Sequence, residues 1–486
     1  MSQTINTIKF QLQQNIPSRN FYVESKFSVP ENTYSISIQV ETVKDVQMTF
    51  MVYDSNHHLR AQFWKGIEER NVIIHENLKY TSPYTISGEI PAGLSSIEIV
   101  CTSKEEIEAN AIWGNVVISF NEETAESIKS DRCHWQNPNF TELNLTNFDI
   151  DKVFNTEKKW YKGDFHTHTI FSDGKMTREE IIESAANQNL DFFVVTDHNI
   201  VPVSWYDDTD ILVIPGVEVT APLGHFNLLC TKVSPFNNHR LIDLHSEEGM
   251  LNLMKSEYGS GLVSINHPFL SEWKWLFEKT PMDIIDSIEI CNDPTYSDNT
   301  EATEKALLAW NLLLNDGYRV TGIGGSDSHL KPTETYEGST QPSLIGDPGT
   351  FVYCNGLTAA NVIEGIRNGH VVVSREEFIH FQVNKCMPGE WCEHLSGTAK
   401  ASVDTDEPIY FEWIVDGKVV KKEDGNHSEY TFNFLDKEYH WIRVDVRYRD
   451  GSFYGFSNPV YFGQKKQPSI RYWGKVLEWM KEHSND

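Results

Sequence analysis

The alternation of apolar and polar positions changes character four times along this chain. Over residues 1–122 it has period two. Tyr34, Ile36, Ile38 and Val40 alternate with Ser35, Ser37, Gln39 and Glu41, which predicts a half-buried strand. Residues 96–101 and 115–120 predict further strands, and Pro91-Ala92-Gly93 carries turn chemistry, so a β-sandwich is expected here. His57 and His58 read as surface-loop residues within it. Residues 123–159 are polar, without sustained periodicity, and read as a linker.

Over 160–378 short apolar runs alternate with helical stretches. The runs fall at 161–166, 192–196, 211–215, 226–230, 262–266, 287–290, 321–324 and 350–353. Thr177-Arg178-Glu179-Glu180 is a capping box that opens a helix with Ile181, Ile182, Ala185 and Ala186 on its buried face. This texture predicts an α/β unit around a parallel sheet, open or closed into a barrel. Residues 379–463 return to period two: Ile442, Val444, Val446 and Tyr448 alternate with Arg443, Asp445, Arg447 and Arg449. Asp416-Gly417 and Asp450-Gly451 are hairpin signals there. Residues 464–486 fit an amphipathic helix docked on the body, with Ile470, Trp473, Leu477 and Met480 on one side.

Composition narrows the function. A chain of 486 residues is expected to form several domains, and its net charge of -29 disfavours nucleic-acid polymers and anionic membranes as partners. A small anionic substrate stays open, because metal ions reverse the local sign. The seven cysteines include no CxxC pair, which argues against a disulfide scaffold or zinc ribbon. Met-Ser-Gln-Thr-Ile-Asn lacks the features of a secretory leader, and no apolar run approaches the ~20 residues of a membrane span. A cytoplasmic location is expected; nothing sets the oligomeric state.

The chemistry concentrates in the α/β segment. In order come Asp164-Phe165-His166-Thr167-His168, Ser172-Asp173-Gly174, Thr196-Asp197-His198-Asn199, Gly216-Val217-Glu218, Gly224-His225-Phe226-Asn227, Asn266-His267-Pro268 and Gly325-Ser326-Asp327-Ser328-His329. One HxH pair means little, since 18 His among 486 residues give about 0.7 by chance. Position matters more. His166, His198, Glu218, His267 and Asp327 all fall at or just past the end of a predicted strand, where α/β folds gather ligands. His166 and His168, like Asp327 and His329, are spaced to point to one face. Imidazoles with carboxylates and no thiolate suit Zn, Mn or Fe, and the ligands are too many for one tetrahedral ion, so a multinuclear site is expected with Glu218 a candidate bridge.

Taken together these motifs resemble the PHP (polymerase and histidinol phosphatase) superfamily, and most of all its CehA/McbA-like metallohydrolases. Phe63-Trp64-Lys65-Gly66 and the run from Ser87 to Gly93 extend a weaker similarity into the N-terminal region. The resemblance implies a distorted (β/α)7 barrel, flanked here by the N-terminal β-sandwich and a small C-terminal β-domain. It implies one metal on His166, His168, Glu218 and Asp327, and a second sharing Glu218 with His225 and His267. A third would lie on Asp173, His198 and His329; some relatives carry His in place of Asp173. Glu218, Asp327, His329 and His198 are the implied catalytic group. The implied reaction is hydrolysis of a small phosphomonoester or phosphodiester by a metal-bound hydroxide.

Lys175 and Arg375 are candidate phosphate contacts, and Asn199, Asn227 and Asn292 candidate substrate-orienting residues. His370 fits a helix C-cap better than an acid group. Two other functions compete: hydrolysis of a carbamate, amide or carboxylic ester at the same site, and carbohydrate or protein binding without turnover. The latter would use exposed aromatics such as Trp64, Trp391 and Trp413.

Overall fold

The computed structural model describes residues 7–13, 18–42, 46–65, 70–108, 112–121, 132–137, 142–206 and 209–483. The N-terminal hexapeptide, Gly66 and the linker residues 123–131 and 138–141 lie outside the described residues.

Eight strands open the chain: β1 (Thr7–Gln13), β2 (Ser18–Val29), β3 (Ser35–Thr42), β4 (Val46–Tyr53), β5 (Leu59–Lys65), β6 (Arg70–His75), β7 (Gly93–Ile107) and β8 (Ile112–Phe120). They form two antiparallel sheets, ordered β1-β8-β3-β6 and β2-β7-β4-β5. Alternate residues of each sheet point inward. Ile36, Ile38, Val72, Ile74, Val116 and Ile118 meet Phe50, Val52, Ala61, Phe63, Ile97 and Ile99 in one core.

Strand β9 (Arg132–His134) precedes the α/β region. That region contains β10 (Asn155–Asp164), α1 (Arg178–Asn187), β11 (Phe192–Val195), β12 (Ser204–Tyr206), β13 (Leu212–Ala221), β14 (Gly224–Leu229) and α2 (Glu247–Glu257). It continues through β15 (Leu262–Ile265), β16 (Ser287–Asn292), α3 (Asn299–Asp316), β17 (Thr321–Gly325), β18 (Gly349–Leu357), α4 (Ala359–Arg367) and β19 (Val371–Ser374). Helix α1 starts on its capping box, the Thr177 hydroxyl accepting from Glu180 N and the Glu180 carboxylate from Thr177 N. Ile181 and Ala185 are buried, whereas Ala186 is exposed and Ser184 takes its place on the inner face.

The sheet is mixed rather than parallel throughout. Strands β10, β11 and β13 run parallel, as do β15, β16 and β17, but β14 is antiparallel to both its neighbours. The reason is local: only Pro222 and Leu223 separate Ala221 from its partner Gly224, and a parallel return needs a crossover of a dozen or more residues. Beyond their ends, β10 and β17 approach each other. Thr167 and Ser328 form a parallel bridge, Asp327 N donates to His166 O at 2.9 Å, and His168 N to Ser328 O at 3.3 Å. Seven strands, β10, β11 and β13 to β17, thus run in one series whose first and last members meet again just past their ends.

The remaining elements are β20 (Ile379–Val383), β21 (Trp391–Cys392), β22 (Ser396–Val403), β23 (Ile409–Val415), β24 (Lys418–Asp424), β25 (His427–Asn433), β26 (His440–Tyr448), β27 (Phe453–Ser457), β28 (Val460–Phe462) and α5 (Trp473–His483). The large sheet continues from β19 into β27, β26, β23 and β24. The sheet β20-β22-β25 shares with it a core that includes Phe381, Ala401, Phe411, Trp413 and Val444. Asp416 and Gly417 turn β23 into β24 with φ of 50° and 80°. The polar face of β26 is buried too: Arg443, Asp445 and Arg447 are 1%, 2% and 8% exposed. Helix α5 buries Trp473, Val476, Leu477 and Met480, and the Trp473 indole donates to Trp275 O at 3.1 Å.

Among the described residues, no helix is long and apolar enough to cross a membrane. Cys101, Cys230, Cys291, Cys354, Cys386 and Cys392 are free thiols. Trp64 and Trp413 are buried, and half-buried Trp391 stacks on Tyr461 and donates to Gly463 O, so none of the three forms an exposed platform.

Candidate metal centre

His166, His198, His267 and Asp327 lie just past the ends of β10, β11, β15 and β17, whereas Glu218, expected at a strand end, lies within β13, which runs on to Ala221, and His225 lies at the start of β14. Glu218, fully buried on β13, stands at the middle. Its Oε1 lies 3.3 Å from His166 Nε2, 3.1 Å from His225 Nδ1 and 3.4 Å from His267 Nε2. Its Oε2 lies 2.8 Å from His198 Nδ1 and 3.4 Å from His168 Nε2. Asp327 Oδ1 is 3.0 Å from His168 Nε2, 3.3 Å from His166 Nε2 and 3.4 Å from His329 Nδ1. Asp173 Oδ1 is 3.1 Å from His329 Nε2 and 3.4 Å from His198 Nε2. All nine sequence-predicted ligands thus converge.

Their ligand atoms form overlapping groups whose members lie within 4.8 Å of one another: His168, Asp173, His198 and His329; His166, His267 and Asp327; His166, His168 and Glu218; and His198, Glu218 and His225. His166 Nε2, His168 Nε2, Asp173 Oδ1, Glu218 Oε2 and Asp327 Oδ1 are buried and make no hydrogen bond. Buried polar atoms of a folded protein are nearly always satisfied, and five facing one space fit a shared metal partner. The donor set suits divalent transition metals.

The electrostatics follow the same geometry. Burial disfavours charge on His166, yet Asp327, Glu218 and Glu289 hold it well above the usual imidazole range. His168 is pushed down to about 3 by burial and by the nearby His329 and His198. Despite burial, the surrounding imidazoles hold Glu218, Asp173 and Asp327 well below the usual carboxylate range.

A second layer fixes these groups. Glu289 on β16 accepts from His267 N at 2.8 Å and from the Asn292 amide at 3.0 Å, and its Oε1 lies 3.0 Å from His166 Nδ1. Gly325 makes room for it, since a Cβ there would stand 2.3 Å from Glu289 Oε1 and 2.5 Å from His166 Cβ. The Asn266 amide donates to Glu218 Oε1 and to Asn227 Oδ1, at 2.9 Å each. Asp197 ties two segments together, accepting from Thr169 N and Oγ1 and from Ser172 N and Oγ. Asn199, His267 and Asp327 hold φ of 55°, 26° and 47°, a sparsely populated region where strain collects at functional sites.

The predicted substrate contacts have other engagements. The Asn199 side chain pairs with the backbone of Thr220, and the Asn227 amide donates to Phe165 O. The Asn292 amide also donates to Asp327 Oδ2 at 3.2 Å. Arg375 forks onto Asp347 and reaches Gln341, while the Lys175 ammonium is 3.0 Å from Glu334 at the surface. His370 donates its N–H to Gly365 O at the end of α4 and belongs to none of the ligand groups. Glu289 is the residue sequence reasoning missed; its signal was a lone acid in the apolar run Ser287-Ile288-Glu289-Ile290-Cys291.

No protein-family model and no curated protein matches the sequence. Among solved structures, the chain is similar to a two-domain protein from Bacteroides vulgatus containing a predicted PHP-like metal-dependent phosphoesterase. The two share 18% identity over 64% of this chain and 98% of the other, with a TM-score of 0.36. It is also similar to a protein from Bifidobacterium adolescentis named as a metal-dependent phosphoesterase, at 14% identity over 38% of this chain and 93% of the other, with a TM-score of 0.23.

Proposed function

We propose that this chain is a PHP-type metal-dependent hydrolase, a phosphoesterase acting on small phosphomonoesters or phosphodiesters with two or three divalent ions of Mn, Zn or Fe. The observation that carries this reading is the set of buried ligand atoms that make no hydrogen bond and face one space. The seven strands are read as a distorted barrel, closed where Thr167 pairs with Ser328. Residues 160–378 would form it, between the β-regions 1–122 and 379–463. His166, His168, Glu218 and Asp327 would hold one ion, Glu218, His225 and His267 a second, and Asp173, His198 and His329 a third.

Such ions supply an activated water at neutral pH and offset charge on the oxygens around phosphorus. The chain's own residues orient and enclose the reaction. Asp173, His198, Asp327 and His329 are 21%, 13%, 16% and 22% exposed, against 9% or less for the other ligands, so substrate enters on their side. His329 and His198 stand on that open side, placed to exchange a proton with the departing group. Asn292 holds the Asp327 carboxylate in place.

Elemental analysis of purified protein, combined with chromogenic phosphomonoester, phosphodiester and carboxylic-ester substrates, tests the proposal. At least two ions per chain are expected. Asp327→Asn and His168→Ala should each lower turnover by about a hundredfold or more, with loss of metal. Full activity at unchanged metal content would sink the proposal.

A carbamate, amide or carboxylic ester is the second reading. It draws support from Arg375 and Lys175, the two candidate phosphate contacts, which already hold the carboxylates of Asp347 and Glu334. Competitive inhibition by inorganic phosphate favours the phosphoesterase.

A further inference from the structure

Part of the metal centre is held from outside the α/β region. Phe171, between His168 and Asp173, and Ile200, two residues after His198, are buried in the core of the N-terminal sandwich. The Phe171 ring sits edge-on to Tyr84 at 5.3 Å. Strand β5 adds a polar grip: fully buried Gln62 accepts from Val201 N at 3.1 Å and donates its amide to Val201 O. On this strand Ala61 and Phe63 face the sandwich interior, so period two turns Gln62 the other way, onto the loop after β11. Asp197 joins that loop to Thr169 and Ser172, which makes the segments carrying Asp173 and His198 one unit.

A carboxamide matches one peptide N–H and one peptide C=O at once, and no apolar side chain can. Losing it leaves both Val201 groups to find other partners in a buried place. The loop would then shift, and His198 with it.

We propose that Gln62 is a positioning residue of the metal centre, acting from the N-terminal sandwich through Val201 to set His198 for the ion it would share with Asp173 and His329. This inference rests on the metal-centre reading above. The N-terminal region is thereby a working part of the site and not an appended module.

Titrating metal-free protein with Co(II), followed by visible absorption and by metal content after dialysis, tests it. In Gln62→Leu, one class of ion should bind about tenfold more weakly, as when an outer partner of a metal ligand is removed. The ion on His166, His168, Glu218 and Asp327, a set without His198, should keep its affinity. Wild-type affinity for every ion overturns the proposal, and so does parallel loss of all ions, which marks general damage. If the leucine variant does not fold, Gln62→Met keeps the length of the side chain and loses the amide donor to Val201 O. The same selective weakening is expected of it, and unchanged binding overturns the proposal. Wild-type protein that binds no ion would instead overturn the metal-centre reading itself.

Discussion

The buried charges along β26 and those of the metal centre are built on opposite plans. Along β26, Arg443 donates to Asp445 and, at 3.0 Å, to Asn311, with its guanidinium 4.9 Å from the Trp310 ring centre. Arg447 forks onto Glu304 and reaches Glu412 at 3.3 Å. Each cation there meets an anion of the same chain; Arg443 Nε alone makes no hydrogen bond. At the strand ends of the α/β region, imidazoles and carboxylates instead leave five ligand atoms unbonded around one space. The first cluster completes itself and joins β26 to α3. The second is complete only with something added. Burial of charge by itself therefore does not mark a site; burial with unmet ligand atoms does.

That contrast can be broken. The largest effect on stability is expected from Asp445→Ala, which strands the fully buried Arg443 and should cost about 3–5 kcal/mol. Urea denaturation would read the loss, and elemental analysis should find the metal content unchanged; loss of metal with stability intact would reverse the assignment of the two clusters. Next is Glu289→Gln, which keeps the shape but removes the charge facing His166 and His267. Metal affinity should fall about 10–100-fold, measured by competition with a chelator, with folding retained. The smallest effect is expected of Lys175→Ala, whose exposed ion pair with Glu334 is worth at most about 1 kcal/mol. Steady-state kinetics should show turnover nearly unchanged; a large rise in KM would make Lys175 a phosphate contact after all.

Much of the candidate site was legible because its residues sit at the ends of short apolar runs, which the period of the chain marks directly. His166, His198, His267 and Asp327 needed only the rule that strand ends gather ligands, whereas Glu218 lies within β13. The supporting layer was harder to see. Glu289 lies within a strand, and its partners His166 and His267 are 123 and 22 residues away in sequence. Gln62 and Val201 are 139 residues apart. The reversal of β14 is carried by the two residues joining it to β13, a signal that the spacing of apolar runs does not contain.

The sequence by itself determined where strands such as β3, β11, β15 and β26 form, where α1 is capped, where Asp416-Gly417 turns, and which side chains bring imidazole and carboxylate chemistry. These are properties of neighbours in the chain: period, cap and turn depend on a few adjacent residues. Tertiary structure alone decided that the polar face of β26 is buried, because α3 supplies Glu304 and Asn311 to meet it. It also decided that Arg375 is held by Asp347, and that Gln62 grips the loop of His198. Those outcomes depend on which distant segment arrives opposite a given side chain, and local pattern carries no record of that.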